Sequence, residues 1–167
     1  MKHICIFYLT IMSLQCQMVN KFPAGWEIAS KINYSSENLN FSNNIAPSYL
    51  SEDFNGDGIN DNAWILINRK KDTFGLFVKL GNTDKMIKLE EYQINDPDHE
   101  INMGISVIKP GKYLTACGKG YWECTPDEPP EIEIIWPSIN FFLYESANSY
   151  FYWDNNKKKF NRIWISD

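Results

Sequence analysis

From residue 48 onward the sequence is divided into apolar runs of strand length by clusters of Gly, Asn, Asp and Pro. That punctuation belongs to strands joined by turns, because Gly and Asn accept the backbone angles of tight turns and Pro cannot donate to a sheet ladder. The runs predict strands at 62–68, 74–80, 85–94, 104–109, 112–117, 131–136, 139–145, 149–154 and 159–165. Six Trp, nine Tyr and ten Phe supply bulky side chains that favour strands and fill a core. The expected fold is mainly β, a single-domain antiparallel meander or sandwich, preceded by a short N-terminal helical or irregular segment.

Two runs alternate clearly. Leu76, Val78 and Leu80 share one face, while Phe160, Arg162, Trp164 and Ser166 oppose Asn161, Ile163 and Ile165, so each strand buries one side. AWILI is apolar throughout, which suits a central strand covered on both faces. Residues 149–165 read as a hairpin turning at Asp154, Asn155 and Asn156. Lys157 to Lys159 then form a solvated turn at a sheet edge, where charge discourages edge-to-edge pairing. TPDEPPE at 125–131 is a stiff acidic connection.

The first residues, MKHICIFYLTIMSLQCQ, run from a basic lead through a short apolar stretch to polar residues, the order of a secretory signal. The apolar run falls well short of the roughly 20 residues needed to span a bilayer. Three regions follow: a signal peptide at 1–16, a polar segment at 17–47 in which Pro23 is placed to open a short helix, and a β-rich domain at 48–167. A lipid anchor at Cys16 is the alternative to plain cleavage, although Gln15 is not the small residue that usually precedes an acylated cysteine. The expected location is outside the cytoplasm: periplasmic, secreted or envelope-anchored. Cys117 and Cys124 remain after cleavage, and two close cysteines in an oxidising compartment most simply pair. Two free buried thiols are the alternative.

The net charge of −5 is the wrong sign for gripping nucleic acid through its phosphates. One segment carries a specific chemical signal. DFNGDGIND places oxygen side chains at Asp53, Asn55, Asp57 and Asp61, positions 1, 3, 5 and 9 of a tight loop, with Gly58 at the sharp turn. The main-chain carbonyl of Ile59 adds a further oxygen, and such a set suits calcium, which takes six to eight oxygen ligands. An Asx-rich turn whose carboxylates cap backbone amides is the alternative, opposed by repulsion among three close carboxylates.

The loop resembles the DxDxDG calcium loops of EF-hands and dockerins, and more closely those of the FG-GAP and VCBS repeats of integrin-type propellers, in which GxxD leads directly into a strand. The resemblance implies calcium ligation by Asp53, Asn55, Asp57, Ile59 and Asp61. Position 12 is Trp64, so the bidentate glutamate of an EF-hand is absent, and the single copy is too little for a propeller. CGKGYWEC and NFFLYESANSYFYWD are similar to stretches of small exported bacterial proteins.

Catalytic signals are sparse. His99 is the one histidine after the leader and lies in a polar stretch, and Ser138, Ser146 and Ser149 sit in no nucleophile-elbow motif. Glu145, following FFLY, reads as a strand-end residue facing water; buried in an aromatic cleft, it would instead be the candidate for a carboxylate hydrolase. The favoured expectation is an exported, non-enzymatic calcium-binding module that engages a protein or an envelope glycan through exposed Trp and Tyr. The alternatives are the Glu145 hydrolase and an exported inhibitor of the immunity type with an acidic surface.

Intact-mass measurement of the native protein tests the leader: the expected mature chain lacks the first 15 to 20 residues, and an uncleaved Met1 contradicts the assignment.

Overall fold

The computed structural model describes residues 22–37, 47–95, 98 and 100–167. The leader, Cys16 and His99 lie outside the described residues. Eleven strands form here: β1 (Glu27–Ile28), β2 (Tyr49–Glu52), β3 (Asp61–Asn68), β4 (Thr73–Lys79), β5 (Met86–Gln93), β6 (Met103–Ile108), β7 (Gly111–Leu114), β8 (Glu131–Ile134), β9 (Ser138–Leu143), β10 (Asn148–Asp154) and β11 (Lys159–Ser166). Every strand expected from the sequence is present, with ends shifted by a few residues. β1 and β2 are additions. Both are short and pair with one edge of β3, β1 at its C-terminal end and β2 at its N-terminal end.

Pro23 opens a turn rather than a helix, ahead of β1, and the one helical turn of residues 22–33 is the 3-10 turn at Lys31–Asn33. The Trp26 amide donates to the Pro23 carbonyl at 3.0 Å, and Gly25 has φ +84°, a left-handed angle that closes a turn instead of continuing a helix. Among the described residues no helix is long and apolar enough to cross a membrane.

All pairings are antiparallel and fall into three layers. β3, β4 and β5 follow one another in the first sheet, with β1 and β2 on the free side of β3. The second sheet runs β11-β10-β9-β6, and β7 with β8 forms a separate two-stranded ribbon. The main core lies between the two large sheets. Ala63, Ile65 and Ile67 of β3 and Phe74, Leu76 and Val78 of β4 meet Ile105 of β6, Ile139 and Phe141 of β9, and Phe151 of β10.

The opposite face of β3 is also covered, because Trp64 and Leu66 pack with Phe77 beneath Phe22 and Trp26. The outer face of the second sheet, Tyr150, Ile163 and Ile165, is covered by Ile132 and Ile134 of the ribbon. Each fully buried aliphatic or aromatic side chain contributes about 1.5–3 kcal/mol, so both outer clusters add materially to the central core.

One side of the sandwich is closed and the other is not. Near β2 and β6 the Ile105 amide donates to the Pro47 carbonyl at 2.9 Å. On the far side, β5 ends the first sheet and β11 ends the second. A bulge shapes β5. Phe77 pairs with Lys88 but Leu76 pairs with Glu90, so the extra residue turns Glu90 and Tyr92 to the core side, where plain alternation from Ile87 would have placed Glu91.

Cys117 and Cys124 are joined by a disulfide, with Cα atoms 5.0 Å apart. The loop is docked on β11: the Ala116 amide donates to the Trp164 carbonyl at 2.8 Å and the Lys119 ammonium to the Ile165 carbonyl at 2.8 Å. Gly118 is required by crowding, since a Cβ there would lie 1.9 Å from the Pro130 carbonyl oxygen. Replacing both cysteines by serine removes a small closed loop worth about 2.5 kcal/mol in the chain-entropy model. The expected variant folds and melts earlier in a thermal scan; an unchanged melting temperature contradicts the staple.

Candidate functional site

The loop at 53–61 joins β2 to β3, and its fold follows from its oxygen-rich sequence. Asp53 Oδ1 accepts from the amides of Gly56 (2.7 Å) and Asp57 (3.1 Å), and its Oδ2 accepts from Gly58 (2.8 Å). Asn55 Oδ1 accepts from the Asp57 amide at 2.9 Å, and Asp57 Oδ1 from the Ile59 amide at 2.9 Å. These are Asx-type bonds, which satisfy the backbone of a tight loop with its own side chains. Gly56 (φ +73°) and Gly58 (φ +84°) supply the left-handed turns.

Asp61 differs from the other carboxylates. It is fully buried at the head of β3, where Oδ2 accepts from the Phe54 amide (2.9 Å) and Oδ1 from the Gly81 amide (2.8 Å). It therefore fastens the loop to the turn after β4. Burial raises its pKa; the two amide bonds oppose that shift, and the charges of Asp57 and Asp53 add to it. Asp57 is exposed, and its Oδ2 accepts from the side-chain amides of Asn55 (3.1 Å) and Asn82 (2.7 Å).

The sequence-selected oxygens thus lie in one loop, but their side chains face its amides. Among the described residues no three His, Cys, Asp or Glu side chains are grouped as metal ligands. The donor chemistry still fits a hard cation. A carboxylate offers about four lone-pair directions, so amide-bonded oxygens keep capacity for an ion.

A contact distant in sequence also shapes the loop. The Trp136 indole, in the connection from β8 to β9, lies against Gly56, where a Cβ would be 2.2 Å from ring carbon Cε2. Its Nε1 is buried and has no acceptor among the described residues. Trp136 also lines a cleft of about 210 Å³ with Tyr152, Trp153, Asp154 and Asn156. Asp154 accepts from the amides of Asn156 and Lys157 and from the Asn161 side chain; the Lys157 amide bond is the main cause of its lowered pKa.

Glu145 is exposed in the turn between β9 and β10, with φ +56°, and is not enclosed in an aromatic cleft. The reading of Glu145 as a strand-end residue facing water therefore holds, and the buried-acid alternative does not. Ser138 and Ser149 are buried strand residues. Ser138 Oγ donates to the Trp136 carbonyl, and Ser149 Oγ accepts from Arg162 Nε at 3.0 Å. The disulfide loop presents Tyr121 and Trp122, 52% and 36% exposed, with the Trp122 indole donating to Glu128 Oε2 at 2.8 Å.

Compared with protein-family models, curated proteins and solved structures, the chain shows no match.

Asp61→Asn keeps the size of the side chain but turns an NH2 group toward one of two amide donors. The expected loss is about 1–3 kcal/mol, read by denaturant unfolding. The pH dependence has a definite sign. A carboxyl whose folded pKa is raised contributes most below the ordinary carboxylate range and loses that contribution as pH rises through its folded pKa. The advantage of wild type over Asp61→Asn should therefore shrink with rising pH in chelator; a widening gap contradicts the assignment.

Proposed function

We propose that the protein is an exported, non-enzymatic β module whose 53–61 loop binds one calcium ion, and that it acts by binding a protein or envelope glycan. The observation that carries the reading is the concentration of Asp53, Asn55, Asp57 and Asp61 in one glycine-turned loop. Calcium would be held by side-chain oxygens of these four residues and by the Ile59 carbonyl. It would supply positive charge to a carboxyl whose pKa is raised by burial first and by the charges of Asp57 and Asp53 in addition. Its role is structural: the loop fixes the entry to β3 and underlies Trp136.

Export is supported by the order of residues in the leader and is compatible with the Cys117–Cys124 disulfide. The binding role is supported by Tyr121 and Trp122, aromatic side chains held outward on a cross-linked loop. Such anchors lose little conformational entropy on binding and are effective at interface centres. The cleft beside Trp136, where aromatic rings adjoin carboxylate and amide groups, supports a glycan as the alternative to a protein partner.

The test is a thermal scan with and without calcium. Without a position-12 glutamate, affinity in the weak extracellular range is expected, on the order of 0.1–1 mM. At about ten times the dissociation constant, binding adds roughly 1.4 kcal/mol. That raises the melting temperature by about 3–6 °C for a domain of this size. Asp57→Ala should lose the calcium-dependent shift; equal responses of wild type and variant make the loop an Asx-rich turn only.

A further inference from the structure

The unclosed side of the sandwich carries a feature independent of the calcium loop. Between the edges β5 and β11 runs a cleft of about 490 Å³. Its inner wall is apolar: Ile87 and Leu89 from the first sheet face Phe151 and Phe160 from the second. Lys85, just before β5, and Lys88 within it line one side, and Lys158 of the β10–β11 turn and Lys159 at the start of β11 line the other. Glu90 is the one acid among the lining residues, and it is engaged by Arg162, whose Nη1 donates to Glu90 Oε1 at 3.0 Å and to the Tyr92 hydroxyl at 3.1 Å.

The electrostatics invert those of the whole chain. The protein carries net charge −5, yet this cleft has five cationic side chains against one acid. Lys88 is paired with Glu91. Lys85, Lys158 and Lys159 have no acidic partner among the described residues. Arg162 closes the inner end, with its guanidinium 4.1 Å from the Trp164 ring centre and 5.5 Å from that of Phe151. It also lines a second cleft of about 510 Å³ that includes Phe74, Tyr92 and Phe141.

A slot with an apolar wall and a lysine rim fits a ligand with matching halves. We propose that the β5–β11 seam binds a free single-chain anionic amphiphile, an alkyl carboxylate, with the chain against Ile87, Leu89 and Phe160 and the head group at Lys85, Lys158 and Lys159. The apolar half supplies affinity through buried area, and the rim selects the charge.

Calorimetric titration in chelator tests this with three probes of equal tail: decanoate, decanol and decyltrimethylammonium. The expected result is one-to-one decanoate binding, about tenfold weaker decanol binding, and no binding of the cation. Lys158→Glu with Lys159→Glu should weaken decanoate about tenfold while leaving decanol unchanged. Leu89→Trp, which fills the slot, should weaken both neutral and anionic probes. Equal affinity for all three tails, an unchanged double variant, or no decanoate binding up to millimolar concentration overturns the proposal.

Discussion

Burial of β3 on both faces is the constraint on which the other layers depend, because a strand with apolar side chains pointing both ways needs cover on both sides. Ala63, Ile65 and Ile67 require the second sheet, and Trp64 and Leu66 require the N-terminal residues Phe22 and Trp26. β4 occupies one edge of β3, while β1 and β2 share the other. The described residues 22–30 consequently belong to the packed domain, since β1 pairs with β3 and Phe22 and Trp26 cover it. Ser48 shows the same coupling: its Oγ donates to the Ala29 carbonyl at 2.7 Å, and its own carbonyl accepts from the Ile65 amide at 2.9 Å.

The 53–61 loop inherits its position from that strand. Asp61 is both the last residue of the loop and the first of β3, and burying a carboxylate there is tolerable because two amides meet its oxygens. The exposed part of the loop turns on glycines, and one of them, Gly56, is the floor for Trp136. A change in the loop therefore reaches the β8–β9 connection through direct packing. In the proposed reading calcium acts on this contact, since it offsets the charge that burial and Asp53 and Asp57 make costly at Asp61.

The strands, the doubly covered AWILI segment, the β10–β11 hairpin and the cysteine pair were legible because each has a local signature: period, turn residues or proximity in the chain. β1 and β2 were not, since Glu27–Ile28 is too short to alternate and Tyr49–Glu52 mixes polar with apolar residues. The β5 bulge was also hidden. Alternation through Ile87 and Leu89 continues to Glu91, and only the register with β4 reveals that Glu90 turns inward to meet Arg162. The spacing of the loop oxygens was readable, but the Trp136 contact was not, because it joins residues far apart in sequence. Glu145 was legible as a water-facing residue at the end of a strand, and it lies exposed in the turn just beyond β9.

The two sides of the sandwich divide the surface into a braced region and an open one. The Ile105 to Pro47 backbone bond braces the side near β2 and β6, whereas at the β5–β11 seam the polar link is Arg162 with Glu90 and Tyr92. Calcium binding at 53–61 is the claim on which the functional account turns, and its most direct measurement is a calcium titration followed by amide and indole NMR signals. The account predicts saturable shifts of the Asp57, Gly58 and Ile59 amides together with the Trp136 indole proton, and little movement at the seam. Identical small shifts with sodium at matched ionic strength, or a silent loop, would contradict it.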